Sequence, residues 1–561
     1  MKKNAKKLMA LILSISMFLF TGCSGVYTEN ENRKDALSYE DAVTELSALM
    51  KKVDVKTVTN PTLDIYSDEV SEKDVLADID TFPITVEGKG QVIVEIAAAT
   101  EFSSDAPDDW LNIVARNFNK EGYKTASGKS IGISVRKMAS GEVVTYVRAG
   151  AYRPTCFIPS NDAWGKMLEA SGIGIIKVSD RIAGNTAGVL MEKNVYKTFI
   201  DKYQDPTIAN VLKAANVGDI TFAYTNPYTS STGLNILTAM LKAFDENDPL
   251  STKASEALLE YQKTAPPVAY TTGVLRNQAK KGLISAMVME EQAYINTPEL
   301  KSFEYFPVGI RHDHPVYGFD WNSDDENEAI SLFTEYCLKS ENQKLATEKG
   351  FNRHEDYKNQ DSGLTGTGYL NAQAVWKQNK NGGNPVIAVF IADISGSMRG
   401  EPLSSLQTSL ANASSYIGPE HYVGLVSYAS DVTINLPIEK FDEKQRAYFS
   451  GEVKNLMANG GTATYDAVLV GLDMIKTKMD EIPNAKPMIF VLTDGDQNEG
   501  FSLNRITGIV GGLQVPVYAI AYNYHNTGDL DTLSKINEAT TIKADTDDVV
   551  NQLRNLFNVQ M

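Results

Sequence analysis

Chemistry-bearing residues are scarce in this chain: its 561 residues include three cysteines and five histidines. So few cysteines exclude a disulfide scaffold, and Cys156 and Cys337 are expected as buried free thiols, Cys337 sharing a helical face with Ile330 and Phe333. Few histidines leave few general bases. No Walker loop, His-Glu-x-x-His or Gly-x-Ser-x-Gly elbow occurs, so a non-enzymatic role is expected. Positive charge is also short, with 53 Lys and Arg against 71 Asp and Glu, a formal net charge of −18. That balance removes the broad basic field that draws proteins to nucleic acid. Beyond the first segment no apolar run reaches the ~18–20 residues of a membrane-spanning helix. What is present is a globular composition, 43% hydrophobic and 22% charged, long enough for three or four folding units.

The first segment reads as an export signal. Lys2, Lys3, Lys6 and Lys7 form a basic start, and the run from Leu8 to Phe20 is too short to span a bilayer. The end of that run, Leu19-Phe20-Thr21-Gly22-Cys23, resembles the bacterial lipoprotein box, departing from it in having Phe20 where Leu is usual. The resemblance implies lipidation at Cys23 and anchoring on the outer face of a cell membrane. Ordinary secretion with cleavage nearby is the alternative. Processing after residue 22 would remove four lysines and no acids, taking the charge from −18 to −22.

Five segments are expected: a signal peptide over 1–22, a tether with a small N-terminal element over 23–90, a two-lobed unit over 91–350, a linker over 351–384 and a final domain over 385–561. The tether region is polar, with one helical pattern from Tyr39 to Met50. From Gln91 onward apolar runs such as Val92–Ala98, Ile131–Val135, Ile220–Tyr224 and Ile284–Met289 alternate with amphipathic patterns, the mark of an open α/β sheet. The stretch 351–384 turns polar and glycine-rich; its Gly-x-Gly spacing follows no strand and lacks a third glycine, which excludes a dinucleotide loop. From Val386 a second alternation begins, with strands expected at Val386–Ala392, Tyr422–Tyr428, Met488–Thr493 and Val515–Ala521. Both units are thus α/β, the last a doubly wound, mostly parallel sheet that binds ligands outside its strand carboxyl ends.

Three fragments of the last domain fall at such ends. Asp393-Ile394-Ser395-Gly396-Ser397 follows the first strand, Gly460-Gly461-Thr462 opens a helix, and Asp494-Gly495 ends the strand Met488–Thr493. Together they offer two carboxylates and three hydroxyls, a hard-oxygen set suited to Mg²⁺, Mn²⁺ or Ca²⁺ and unlike the His and Cys sets of Zn²⁺. The pattern resembles the metal-ion-dependent adhesion site of von Willebrand factor type A (VWA) domains. By that resemblance Asp393, Ser395, Ser397, Thr462 and Asp494 would hold Mg²⁺, with Mn²⁺ or Ca²⁺ as substitutes, and the ion would accept an acidic residue of a protein partner. Asp466 reads equally as an acceptor behind that site or as a first-turn helix acid.

The middle unit carries two polar turns ahead of helical patterns. Thr100-Glu101-Phe102-Ser103-Ser104-Asp105 follows Val92–Ala98, and Asn226-Pro227-Tyr228-Thr229-Ser230-Ser231-Thr232 follows Ile220–Tyr224. The unit resembles type 2 extracellular solute-binding proteins, two-lobed receptors with a periplasmic-binding-protein fold, and the second turn is similar to the Asn-Pro-x-Thr-Ser loop of anion-binding members. That implies a small anionic solute held by Ser103, Ser104, Thr229, Ser230 and Ser231 at helix N-termini; capping turns in a unit without a ligand are the alternative. His312-Asp313-His314, two histidines on one strand face without further ligands, reads as a surface or packed pair rather than the alternative metal site, and Asp324-Asp325-Glu326 as the acidic start of a helix. The chain is expected to be a lipid-anchored protein binding an acidic partner through metal, with a ligand-sensing receptor unit. The competing expectation is a transporter's solute receptor with the VWA domain as a docking or regulatory module.

Overall fold

The computed structural model describes residues 36–64, 78–103, 109–264, 284–495, 497–522, 527–537 and 541–544, with isolated positions between and beyond them. The expected signal, Cys23 and Ser104 lie outside the described residues. Among the described residues three sheets form, of seven, six and five strands.

The seven-stranded sheet runs in the order Val55–Thr57, Val432–Lys440, Tyr422–Tyr428, Val386–Asp393, Lys486–Thr493, Val517–Tyr522, Thr541–Ala544. Its pairings are parallel except that between Tyr422–Tyr428 and Val432–Lys440. Val386–Asp393 lies mid-sheet and is buried throughout, which is why it reads as a continuous apolar run. Helix Thr464–Glu481 packs Val468, Leu472 and Ile475 onto one face of this sheet.

The N-terminal element belongs to this sheet and forms no separate unit. Helix Tyr39–Met50 buries Ala42, Leu46 and Leu49 in the same apolar cluster as Leu472, Ile509 and Leu513. Strand Val55–Thr57 then pairs in parallel with Val432–Lys440, and the Val58 amide donates to the Ile434 carbonyl at 2.9 Å. Three residues of strand carry too little periodicity to be recognised before their partner is known. The two-lobed unit is therefore inserted between the first edge strand of the final domain and the rest of it.

The first lobe holds the six-stranded sheet, in the order Ile84–Val86, Ile131–Lys137, Val92–Ala98, Cys156–Ile158, Val316–Phe319, Ile175–Ser179. The second holds Phe303–Arg311, Thr186–Glu192, Ala286–Glu290, Phe222–Thr225 and Val268–Ala269. The chain crosses between lobes after Ser179 and again after Arg311, and the crossings are tied by the His312 amide on the Asn185 carbonyl at 3.0 Å. Cys156 and Cys337 are free thiols buried in the first-lobe core.

The stretch expected as a linker contains the helix Gly366–Asn379, which packs on both lobes. Tyr369 enters the first-lobe cluster with Trp164 and Leu168. Trp376, fully buried in the second-lobe core, donates its indole N–H to the Tyr224 hydroxyl at 2.8 Å. Its glycines mislead: an added Cβ on Gly366 would lie 1.9 Å from the Lys166 carbonyl oxygen, so close backbone approach explains that glycine. From this helix the chain runs almost directly into Val386–Asp393.

Candidate functional site

The parallel register of the seven-stranded sheet brings three strand ends to one rim. Asp393 ends its strand opposite Tyr428, and Thr493 ends the strand on its other side. The Asp393 carboxylate is fully buried and accepts from both neighbours, Thr493 Oγ1 at 2.6 Å and the Tyr428 hydroxyl at 3.3 Å. Its other oxygen accepts the Ser395 amide at 2.8 Å, closing the turn that aims the following hydroxyls.

Those hydroxyls form a chain of oxygens. Ser395 Oγ lies 3.0 Å from Ser397 Oγ, which donates to Asp494 Oδ1 at 2.8 Å. The loop carrying Thr462 is fastened beside them. The Gly396 amide donates to the Gly460 carbonyl at 3.0 Å, and the Thr462 amide to Asn498 Oδ1 at 2.9 Å. Gly460 has φ +75°, where glycine avoids the strain of a side chain. Asp466 accepts the Phe501 amide at 2.7 Å, fixing the loop after Thr493 as well as standing in the first helical turn.

The donor set suits a hard divalent cation. Neighbouring ligands of an octahedral ion with bonds of about 2.1 Å are about 3.0 Å apart, and the Ser395–Ser397 and Ser397–Asp494 separations are 3.0 and 2.8 Å. Burial pushes the Asp393 and Asp494 carboxyls above the usual carboxylate range, and hydrogen bonds from Thr493 and Ser395 to Asp393 and from Ser397 to Asp494 oppose it. A cation at the rim would offset the cost of holding both charges out of water.

The turns expected to cradle an oxyanion are engaged differently. Ser103 donates to the Ala99 carbonyl at 2.7 Å; Ser230 caps its helix through the Gly233 amide at 3.3 Å; Ser231 accepts the Trp164 indole N–H at 2.8 Å. Thr229 is buried where the lobes meet, its carbonyl accepting the Gly141 amide at 3.3 Å. The lobes touch closely here, since a Cβ on Gly141 would lie 2.0 Å from the Tyr228 carbonyl oxygen. Local capping thus engages the hydroxyls of Ser103 and Ser230 and an interlobe bond that of Ser231, while Thr229 Oγ1 is buried without a hydrogen-bond partner.

Between the lobes lies a set of which the sequence singled out the histidines but not their glutamate partners. His312 and His314, expected as a surface or packed pair, are fully buried and each faces a glutamate, Glu290 and Glu101. His354 meets Glu291 at 3.1 Å. Glu101 stood in the quoted polar turn, and Glu290 and Glu291 directly follow a recognised strand, so acids at strand ends were the available signal.

Comparison with known proteins agrees with this architecture. Residues 388–558 match the family model of the von Willebrand factor type A domain, and residues 100–352 that of the bacterial extracellular solute-binding protein. Inter-alpha-trypsin inhibitor heavy chain H3 of Bos taurus is 27% identical over 150 residues, 25% of this chain and 16% of its own. The Bos taurus heavy chain H4 is 28% identical over 125 residues, 21% of this chain and 13% of its own. The chain thus spans about an eighth to a sixth of the length of these curated relatives. Among solved structures, a periplasmic thiamin binding protein aligns with TM-score 0.38 and 13% identity, covering 51% of this chain and 96% of that one. A von Willebrand factor type A protein from Catenulispora acidiphila aligns with TM-score 0.29 and 18% identity, covering 31% and 42%. The chain carries a solute-binding-protein domain and a VWA domain that follows it in sequence.

Proposed function

We propose that this pair of domains forms a lipid-anchored, extracytoplasmic binding protein, not an enzyme, whose VWA domain captures a protein partner through a divalent cation while the two-lobed domain senses or presents a small ligand. The observation carrying this reading is the octahedral-edge spacing of the Ser395, Ser397 and Asp494 oxygens beside the buried Asp393 carboxylate. Bound there, Mg²⁺, or Mn²⁺ or Ca²⁺ in its place, would supply an open coordination position for a carboxylate of the partner. The chain's residues set that property. Ser395, Ser397 and Thr462 offer neutral oxygens, which leave the ion's charge largely uncancelled, and Asp393 is held by Thr493, Tyr428 and the Ser395 amide rather than free to swing. Anchoring rests on the basic start, the short apolar run and the Leu19–Cys23 box. No helix among the described residues is long and apolar enough to cross a membrane.

The helix Gly366–Asn379 supports communication between the domains. It touches both lobes, with Gln373 donating to the Pro227 carbonyl at 2.8 Å, and leads into the strand that ends at Asp393. The test is retention of envelope proteins on the immobilised intact chain in Mg²⁺. Elution by EDTA and loss of retention in Asp393→Ala are expected; retention that survives both refutes the metal bridge.

A further inference from the structure

Glutamate–histidine pairs gather where the lobes meet, and three of the chain's five histidines are in them: Glu101 with His314, Glu290 with His312 and Glu291 with His354. One ligand atom each from Glu101, Glu290 and His312 lies within 4.8 Å of the other two. The three come from different places. Glu101 follows the first-lobe strand Val92–Ala98, Glu290 ends the second-lobe strand Ala286–Glu290, and His312 begins a crossing between lobes. Their side chains are 10%, 8% and 0% exposed. His312 Nδ1 is buried without a hydrogen-bond partner and stands 3.3 Å from Glu290 Oε1, so an unsatisfied ring nitrogen points into the cluster.

We infer that this cluster is a binding site for a divalent transition-metal cation, separate from the VWA rim, which closes the two lobes on each other. The inference rests on reading this domain as a solute-binding unit and names the class of its ligand. Two carboxylates at this spacing repel each other and any oxyanion. The nearby Arg311 does not reverse that sign: its charge is balanced by Asp313 at 3.0 Å and Glu355 at 3.7 Å, its Nη1 donates to the His354 carbonyl at 2.6 Å, and its Nη2 is buried without a hydrogen-bond partner. One imidazole and two carboxylates form a borderline donor set, suited to Zn²⁺, Mn²⁺ or Fe²⁺ more than to Mg²⁺ or Ca²⁺. Adjacent ligands about 2.0–2.2 Å from a tetrahedral or octahedral ion stand ~3.0–3.6 Å apart, so the 3.3 Å His312–Glu290 pair already fits and Glu101, within 4.8 Å of both, would move inward by up to about an ångström.

The surrounding groups orient these ligands as metal-site neighbours do. The Thr232 hydroxyl donates to Glu290 Oε1 at 2.5 Å. His314 donates Nδ1–H to the Ala183 carbonyl at 2.8 Å and sets Nε2 3.1 Å from Glu101 Oε1. Asn161 abuts His312 Nε2 at 3.1 Å. When an ion takes Nδ1, the ring proton moves to Nε2 and the Asn161 amide must turn its oxygen toward it. These three are positioning residues.

The test uses the full chain carrying Asp494→Ala to remove a ligand of the VWA rim, stripped by chelator and titrated by equilibrium dialysis with Zn²⁺ and separately with Mn²⁺. One ion per chain is expected. Glu101→Gln and Glu290→Gln should each weaken uptake at least ~100-fold, and Thr232→Val about 10-fold. Zero ions per chain, or uptake unchanged in both Gln variants, overturns the site. Should the Gln variants misfold, pulsed electron paramagnetic resonance of the Mn²⁺-loaded Asp494→Ala chain decides: a directly bound imidazole nitrogen supports the site and its absence overturns it. Stabilisation by sulfate, molybdate or a polyamine with none by either metal overturns the metal assignment while leaving the receptor reading intact.

Discussion

Leu46→Ala tests whether the N-terminal segment is part of the VWA domain. Leu46 is 1% exposed and belongs to the cluster that includes Val468, Leu472, Ile509 and Leu513, all far away in sequence. Truncation removes three buried carbons, about 2.4 kcal/mol at ~0.8 kcal/mol each. The remaining cavity raises this toward the ~2.7–5 kcal/mol typical of core Leu→Ala changes. Taking about 3 kcal/mol, the opening equilibrium of the VWA core should shift roughly 150-fold. Native-state hydrogen exchange reads this at separate sites. Amides of Val386–Asp393 should exchange about two orders of magnitude faster, and those of Val92–Ala98 in the first lobe should stay near the parent rate. If the VWA amides stay within about threefold of the parent rate, or both domains shift equally, the assignment of residues 36–64 to the VWA sheet is wrong. The same reasoning forecasts that a fragment beginning at residue 385 loses an edge strand and a packed helix.

Trp376→Phe keeps most of the bulk but removes the indole N–H bonded to Tyr224, and should lower the stability of the two-lobed domain by about 1–2 kcal/mol in urea unfolding. Trp376→Ala should cost about 3–5 kcal/mol, and an unchanged midpoint in both would return residues 366–379 to the status of a linker. Asp325 is bound by Lys129 at 2.5 Å and Ser127 at 2.7 Å, which pull its carboxyl down to about 2 from the ordinary 3.8. Because the folded value is depressed, its stabilisation is present above pH ~4 and lost as pH falls through about 2. Asp325→Asn should therefore melt below the parent at pH 6, with the gap closing as pH approaches 2. Gly141→Ala should hold the lobes apart, read as faster exchange of the Thr229 and Ser230 amides; protection equal to the parent would refute the close approach at Tyr228.

The elements legible in the sequence were those with a strong local pattern. Val386–Asp393 reads as a central strand because both faces are buried, and helix Tyr39–Met50 because its apolar residues recur at helical spacing. The rim residues were legible for a related reason. Loops after parallel strands must come together at one edge, so Asp393, Ser395, Ser397 and Asp494 could be grouped before any distance was known. The cleft turns show where that reasoning fails. Ser103, Ser230 and Ser231 occupy the expected turns, yet their oxygens serve capping and packing between lobes, because a hydroxyl has no sequence signal for whether it faces ligand or protein.

By itself, then, the sequence determined two α/β units and an oxygen-rich rim on the second, since periodicity and strand-end loops are local properties. Tertiary structure alone decided the rest. It returned Val55–Thr57 to a sheet whose other strands begin at residue 386, made a two-lobed packing element of the glycine-bearing helix Gly366–Asn379, and set Glu101 and Glu290 against His312. Each of these joins segments separated by some twenty to several hundred residues. Their stabilising burial and charge contacts exist only once the chain has brought both sides together, and no local pattern records them.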